Sequence, residues 1–260
     1  MRATYDVFAI RYARATRAKA QCFIGETGEG TVEMAYYVWL IRGAGRTILV
    51  DTGFDQSVAK ARDREFLICP GAALQQLGVA PSAVDTVILT HLHHDHAGNH
   101  HLFKDATFHI QAAEMAYTTG PFMTFKHLRA GYGAADLKVM IDRLFADQLV
   151  FHEGHGIVAP GIEVVHIGGH TAGLQSVVVS TARGPLVLAS DAAVFYEGIA
   201  TARVFPPAFH GGDELKGHKT LISLAGDERA IIPGHDAAVM TRYPAAIEGV
   251  AWRVDGVPLS

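Results

Sequence analysis

Residues 84–99 read VDTVILTHLHHDHAGN, and the break in character after Thr90 decides how this chain is understood. Val84 to Thr90 is apolar and β-branched, which predicts a strand. The hexapeptide HLHHDH at 91–96 therefore sits at the strand's carboxyl end. His91 and His93 are two apart, so in extended backbone they point to one side and can grip a single ion. Asp95 and His96 are adjacent and, as the chain turns, can face a second ion. His94 points away from His93 and is left outside the ligand set. Zinc favours imidazole nitrogen and carboxylate oxygen, and keeps an open position where catalysis is needed. A lone histidine is usually a surface or core residue, but four ligand-type residues in six positions after a buried strand predict a metal site.

Outward from this run, Tyr36–Ile41 and Arg46–Asp51 flank Gly43-Ala44-Gly45, a hairpin signal that ends in Asp51-Thr52-Gly53. A similar unit returns as Leu174–Ser180, a turn through Arg183-Gly184, and Pro185–Ser190 ending at Asp191. Two related halves, each with a hairpin leading to a carboxylate, are expected. Further strands are expected over Ala106–Ile110, Glu163–Ile167 and Ala230–Ile232. Helices are expected over Asp55–Phe66, over Ala72–Leu77 before Gly78, and over Glu214–Ala225 before Gly226. Such alternation implies layered sheets covered by helices. Residues 111–151, with Met115, Tyr117, Phe122, Met123, Phe125, Leu128 and Tyr132, read as a helical cap-like insertion in a single domain spanning 1–260.

Composition narrows the function. A chain of 260 residues with 49% hydrophobic residues can bury a sizeable core. The formal net charge of -4 gives no broad basic field for a nucleic-acid backbone. Cys22 and Cys69 show no paired spacing, so neither a disulfide framework nor a CxxC site is expected. No stretch is apolar and long enough to cross a bilayer. A soluble, cytoplasmic protein is expected, with no nucleic-acid or membrane partner; a homodimer is compatible with the sequence.

The hexapeptide resembles the HxHxDH signature of the metallo-β-lactamase superfamily. The resemblance extends to His170 in GGHTAG, Asp191 in LASD and His235 in IIPGHD, in matching order across residues 36–236. It implies an α/β fold, a four-layer αβ/βα sandwich with a dinuclear metal site at one edge between two β-sheets. By that carry-over His91, His93 and His170 hold one ion, Asp95, His96 and His235 the other, and Asp191 bridges them. The implied cofactor is two zinc ions per chain, with iron, manganese or cobalt able to substitute. Two divalent ions less Asp95, Asp191 and a bridging hydroxide leave about one positive charge for a developing oxyanion.

Within the superfamily, an aspartate at 191 speaks against the zinc β-lactamases, and His93 stands where diiron redox members carry glutamate. Basic clamps of the nucleases are missing, and the intact ligand set argues against a non-enzymatic effector-binding member. THLHHDHAGN at 90–99, IGGHTAGLQ at 167–175 and SDA at 190–192 look most like the N-acyl homoserine lactonase family. The resemblance implies a small-molecule lactone substrate opened by attack of the bridging hydroxide, with Asp95 passing a proton to the leaving alkoxide. One departure stands out: a branch of that family has a catalytic tyrosine three residues after the bridging aspartate, where this chain has Val194. Tyr196 is the candidate for that catalytic role. Aromatic walls from Met115 to Tyr132 and from Phe195 to Phe209 suit an apolar acyl chain or flat ring. The alternatives are a heteroaromatic-ring lactone and a thioesterase or glyoxalase-II-like reaction, for which Lys104, Lys126 and Arg129 supply only a weak anion site.

Overall fold

The structure, a computed structural model, describes residues 3–256 and 258–259. It opens with a strand that the sequence reading does not anticipate, β1 (Asp6–Ala18). Its period-two alternation is obscured by Arg11, Arg14 and Arg17 and by a register shift between Arg11 and Ala13 against its neighbour. That neighbour, β2 (Thr31–Gly43), forms the expected hairpin with β3 (Arg46–Val50). Ala44 and Gly45 turn it with φ of 49° and 75°, both positive as a tight two-residue hairpin turn requires.

The expected helix over Asp55–Phe66 is shorter. Asp55 caps α1 (Gln56–Ala61) by accepting from the Val58 amide, and the chain turns at Asp63 with φ 54°. Glu65–Phe66 becomes a short strand, β4, paired with β1. Then follow α2 (Pro70–Gln76), β5 (Thr86–Ile88) and β6 (Thr107–Gln111). The expected helical segment contains α3 (Ala112–Thr118), α4 (Lys126–Arg129) and α5 (Ala134–Phe145), and leads into β7 (Leu149–His152), parallel to β6.

The second half runs β8 (His155–Ala159), β9 (Ile162–His166), β10 (Gln175–Thr181) and β11 (Gly184–Ser190). It continues with α6 (Tyr196–Thr201), α7 (Gly211–Ala225), β12 (Ile231–Pro233), α8 (Val239–Arg242), β13 (Ala245–Ile247) and β14 (Ala251–Arg253).

Among the described residues the strands form two sheets. One has nine strands in the order β13-β14-β1-β2-β3-β5-β6-β7, with β4 beside β1; the other has five, β12-β11-β10-β9-β8. Side chains that alternate along a strand separate into different cores. Val7 and Ala9 of β1, and Tyr37, Trp39 and Ile41 of β2, pack with Val164, Val177 and Leu188 between the sheets. Phe8, Ile10, Val38 and Leu40 face the other way, toward Ala59, Leu74 and Met140 of the helices. On the outer face of the smaller sheet, Val187 and Ala189 meet Leu221 and Ala225 of α7. The layers are therefore helix, sheet, sheet, helix, as expected. No helix among the described residues is long and apolar enough to cross a membrane, and Cys22 and Cys69 are both free thiols.

Candidate metal centre

β3 and β5 run parallel, as do β11 and β12, so Asp51, His91, Asp191 and His235 all follow carboxyl ends of strands. The two sheets are tied where these ends meet. Asp51, at φ 61°, accepts hydrogen bonds from the Thr90 amide (2.8 Å), the Thr90 hydroxyl (2.9 Å) and His96 Nδ1 (2.7 Å). The Thr90 hydroxyl, its proton directed at Asp51, accepts from the Ser190 hydroxyl at 2.8 Å across the sheets. Gly234 lies so close to this corner that a Cβ there would stand 2.7 Å from the Ser190 carbonyl carbon and 2.8 Å from Asp191 Oδ1.

The seven residues singled out as ligands are buried and converge. His91 Nε2 and His170 Nε2 each lie 3.0 Å from His93 Nδ1. Asp191 faces both sets: its Oδ2 is 3.2 Å from His170 Nε2, while its Oδ1 is 3.0 Å from His235 Nε2 and 3.4 Å from His96 Nε2. Asp95 Oδ2 stands 3.8 Å from both His96 Nε2 and His235 Nε2. Ligand atoms of His91, His93 and His170, of His91, His96 and Asp191, and of Asp95, His96 and His235 lie within 4.8 Å of one another in each group. His94 stands apart, its Nδ1 donating to the Gly131 carbonyl at 3.0 Å and its ring stacked on Phe54.

Burial, and then the neighbouring imidazoles, hold His91 and His93 well below the usual histidine range, which keeps them neutral with free lone pairs. Burial opposes charge on His96 too, but Asp191, Asp51 and Asp95 outweigh it and raise its pKa. Asp191 is held well below the carboxylate range, burial being outweighed by His235, His96 and His170. Two divalent metals fit this donor set. His96 Nε2, His235 Nε2 and Asp191 Oδ1 are buried without a hydrogen-bond partner, a costly arrangement that metal coordination would relieve. The outer nitrogens are fixed as in metal-ligating histidines: His96 Nδ1 donates to Asp51, and His235 Nδ1 donates to the Ala35 carbonyl at 2.8 Å.

One positioning residue escaped the sequence reading. Glu114 of α3 accepts from the Leu92 amide (3.0 Å), the Tyr132 hydroxyl (3.2 Å), the Thr171 hydroxyl (2.7 Å) and the Gly173 amide (3.0 Å). It thus clamps the loop that carries His91 and His93 to the loop that carries His170. A glutamate inside a helix gives no sequence signal for this.

Above the ligands lies a cavity of about 180 Å³. Of the expected apolar walls, Ala130, Gly131, Phe205, Pro206 and Pro207 line it. Tyr117, Phe122 and Phe209 instead pack on one another. Arg17, Arg62 and Arg64 line the cavity, unlike Lys104, Lys126 and Arg129. Tyr196 does not reach it. Its ring is covered by Arg242 at 3.7 Å and packs against the core between the sheets, beside a different hollow. The turn that starts α6 directs Val194 and Phe195 into one core and Tyr196 into the other. The phenol on the cavity wall is Tyr36, whose ring stands edge-on to His235 at 5.0 Å.

The sequence profile of the metallo-β-lactamase superfamily matches residues 32–235, which span the whole ligand set. The chain belongs to this superfamily. Its curated relatives are metallo-hydrolases and lactonases, and with them it is a metal-dependent hydrolase. It is 28% identical over 192 residues to a probable metallo-hydrolase of Methanocaldococcus jannaschii, covering 74% of this chain and 72% of that one. An N-acyl homoserine lactonase of a Bacillus species is 26% identical over 221 residues, covering 79% of this chain and 82% of the relative. Among solved structures, a dizinc quorum-quenching lactonase in complex with the product N-hexanoyl-L-homoserine superposes with a TM-score of 0.73. That match has 14% identity, covers 100% of this chain and 96% of the other, and shows likeness of fold.

Proposed function

We propose that this superfamily member opens a lactone ring at a centre of two zinc ions, with N-acyl homoserine lactones as the first substrate class. The observation that carries the reading is Asp191, whose two oxygens face two separate sets of imidazole nitrogens. His91, His93 and His170 would hold one ion, Asp95, His96 and His235 the other, and Asp191 both. When bound, the ions polarise the acyl oxygen and bring the pKa of water down to about 7.

The chain's own groups do the rest. Asp95, at the cavity wall, passes a proton to the alkoxide released as the acyl bond breaks. Tyr36 offers a hydroxyl donor to the acyl oxygen, the role the sequence suggested for Tyr196. Residues 111–151 serve as a cap: Gly131 packs so tightly that a Cβ there would strike the His93 ring at 2.4 Å, and the Tyr132 ring lies 4.5 Å from it. A cavity of about 180 Å³ is below the roughly 300–1,000 Å³ common for drug-sized ligands.

Hydrolysis by zinc-reconstituted protein across lactones, a thioester and a phosphodiester, followed by proton release, tests the reading. Lactones are expected to turn over, with Asp95→Asn slower by about 10² or more at full metal loading. Fully metallated protein that ignores every lactone while cleaving the thioester or phosphodiester would refute it.

A further inference from the structure

Three guanidinium groups stand on the wall of the metal cavity without a carboxylate partner. Arg17 comes from β1, and Arg62 and Arg64 from the turn between α1 and β4; they share the cavity with His93, Asp95 and Asp191. Among the described residues no aspartate or glutamate oxygen lies within 4.0 Å of their nitrogens. Elsewhere on β1, Arg11 reaches Glu33 at 3.4 Å and Arg14 reaches Glu65 at 2.9 Å. Two of the cavity arginines are held by main-chain carbonyls instead. Arg62 Nη1 donates to Ala130 at 3.1 Å, and Arg64 Nη1 donates to the carbonyls of Arg62 at 2.7 Å and Asp63 at 3.0 Å. These bonds fix position without neutralising charge. Arg17 Nε and Arg64 Nε are buried with no partner at all.

Such a trio is costly beside a centre built for two divalent cations. Only Asp95 and Asp191 among the ligands are anionic, so the loaded centre is already positive. Like charges that line one cavity repel, the more so the less water screens them. A guest that brings negative charge relieves this, and guanidinium groups match a carboxylate in geometry as well as charge.

We propose that the substrate carries a carboxylate besides its lactone carbonyl, and that Arg17, Arg62 and Arg64 hold that carboxylate while the ring lies over the metal ligands. The proposal rests on the lactonase reading and moves its substrate class from the neutral N-acyl homoserine lactones to small anionic lactones. In the reaction, water oxygen bonds to the acyl carbon and the bond from that carbon to the ring oxygen breaks. The ring oxygen keeps the electron pair and takes a proton, and the new carboxylic acid releases one. The product is a hydroxy-dicarboxylate, more anionic than the substrate.

The probes are γ-butyrolactone, its γ-carboxylate derivative, and 2-hydroxyglutarate, the ring-opened product of the latter. Zinc-loaded wild type is compared with Arg17→Gln/Arg64→Gln, and with Arg11→Gln as a control outside the cavity. The wild type is expected to prefer the carboxylated lactone in kcat/KM by tenfold or more, on the scale of about tenfold or more per charged hydrogen bond lost. The double variant should erase most of that preference, weaken 2-hydroxyglutarate binding in calorimetry by a similar factor, and leave the control's preference intact. Equal kcat/KM for the two lactones in wild type, or a preference that survives in the double variant, overturns the anion subsite while the lactonase reading stands. If neither lactone reacts, calorimetry decides the subsite alone: equal 2-hydroxyglutarate binding by wild type and double variant overturns it, and the wider lactone panel decides the lactonase reading.

Discussion

His96 Nδ1 lies 2.7 Å from Asp51 Oδ2, both groups fully buried, so the ring is oriented from behind and presents Nε2 to Asp191 and Asp95. Asp51 closes the first hairpin as Asp191 closes the second. One hairpin therefore delivers a ligand-type carboxylate and the other the carboxylate that steers a ligand.

Replacing Asp51 by Asn keeps the shape and removes the charge behind His96. Outer carboxylates of this kind contribute about 10–100-fold to metal affinity. Asp51→Asn is expected to lose zinc to a chelator at that much lower chelator strength while its circular dichroism stays native. Unchanged zinc retention would show that His96 needs no such support.

The two tyrosines separate cleanly. Tyr36→Phe removes the hydroxyl on the cavity wall, and turnover is expected to fall by about 10²-fold, the scale of a lost oxyanion donor. Tyr196→Phe alters a ring sandwiched between Arg242 and the core between the sheets, and is expected to keep wild-type turnover. Steady-state kinetics on both variants at equal metal content makes the comparison, and the reverse pattern would return the role to Tyr196.

Glu214 gives a pH signature. Burial lifts its carboxyl from 4.5 to about 8, opposed by the Phe205 amide that donates to it at 2.8 Å. Folded and unfolded chains both hold the proton below 4.5; above it the unfolded chain ionises first, so stability falls as pH rises from 4.5 to about 8. Glu214→Gln keeps an acceptor for Phe205 and removes this loss. In metal-free protein the variant's Tm is expected to match wild type near pH 4.5 and to exceed it increasingly up to pH 8. A Tm difference that does not change with pH would contradict the assignment.

The ligand run was legible because its residues are crowded into one strand end, where four ligand-type side chains in six positions have no ordinary structural explanation. Layered sheets covered by helices followed from the alternation of segments, and the four-layer arrangement from the family resemblance that the motif carries. β1 was hidden by its arginines and its bulge, and with it went the cavity's charge. Arg17 shares a cavity with Arg62 and Arg64 where β4 pairs with β1 through Ala13–Phe66 and Arg14–Glu65, a long-range pairing that local sequence patterns do not encode. Glu114 and Tyr36 likewise acquire their meaning from contacts distant in sequence. Tyr196 parts from its expected place for the opposite reason: it lies close to Asp191 in sequence, but the turn into α6 sends its ring to the other core.

The central claim is that seven residues share two metals through Asp191, and metal content tests it most directly. After reconstitution with zinc and removal of loosely bound metal, elemental analysis is expected to find two ions per chain in wild type and fewer in Asp191→Ala, which removes the carboxylate whose two oxygens face the two sets. A reproducible value of one ion or fewer in the wild type would contradict the dinuclear centre.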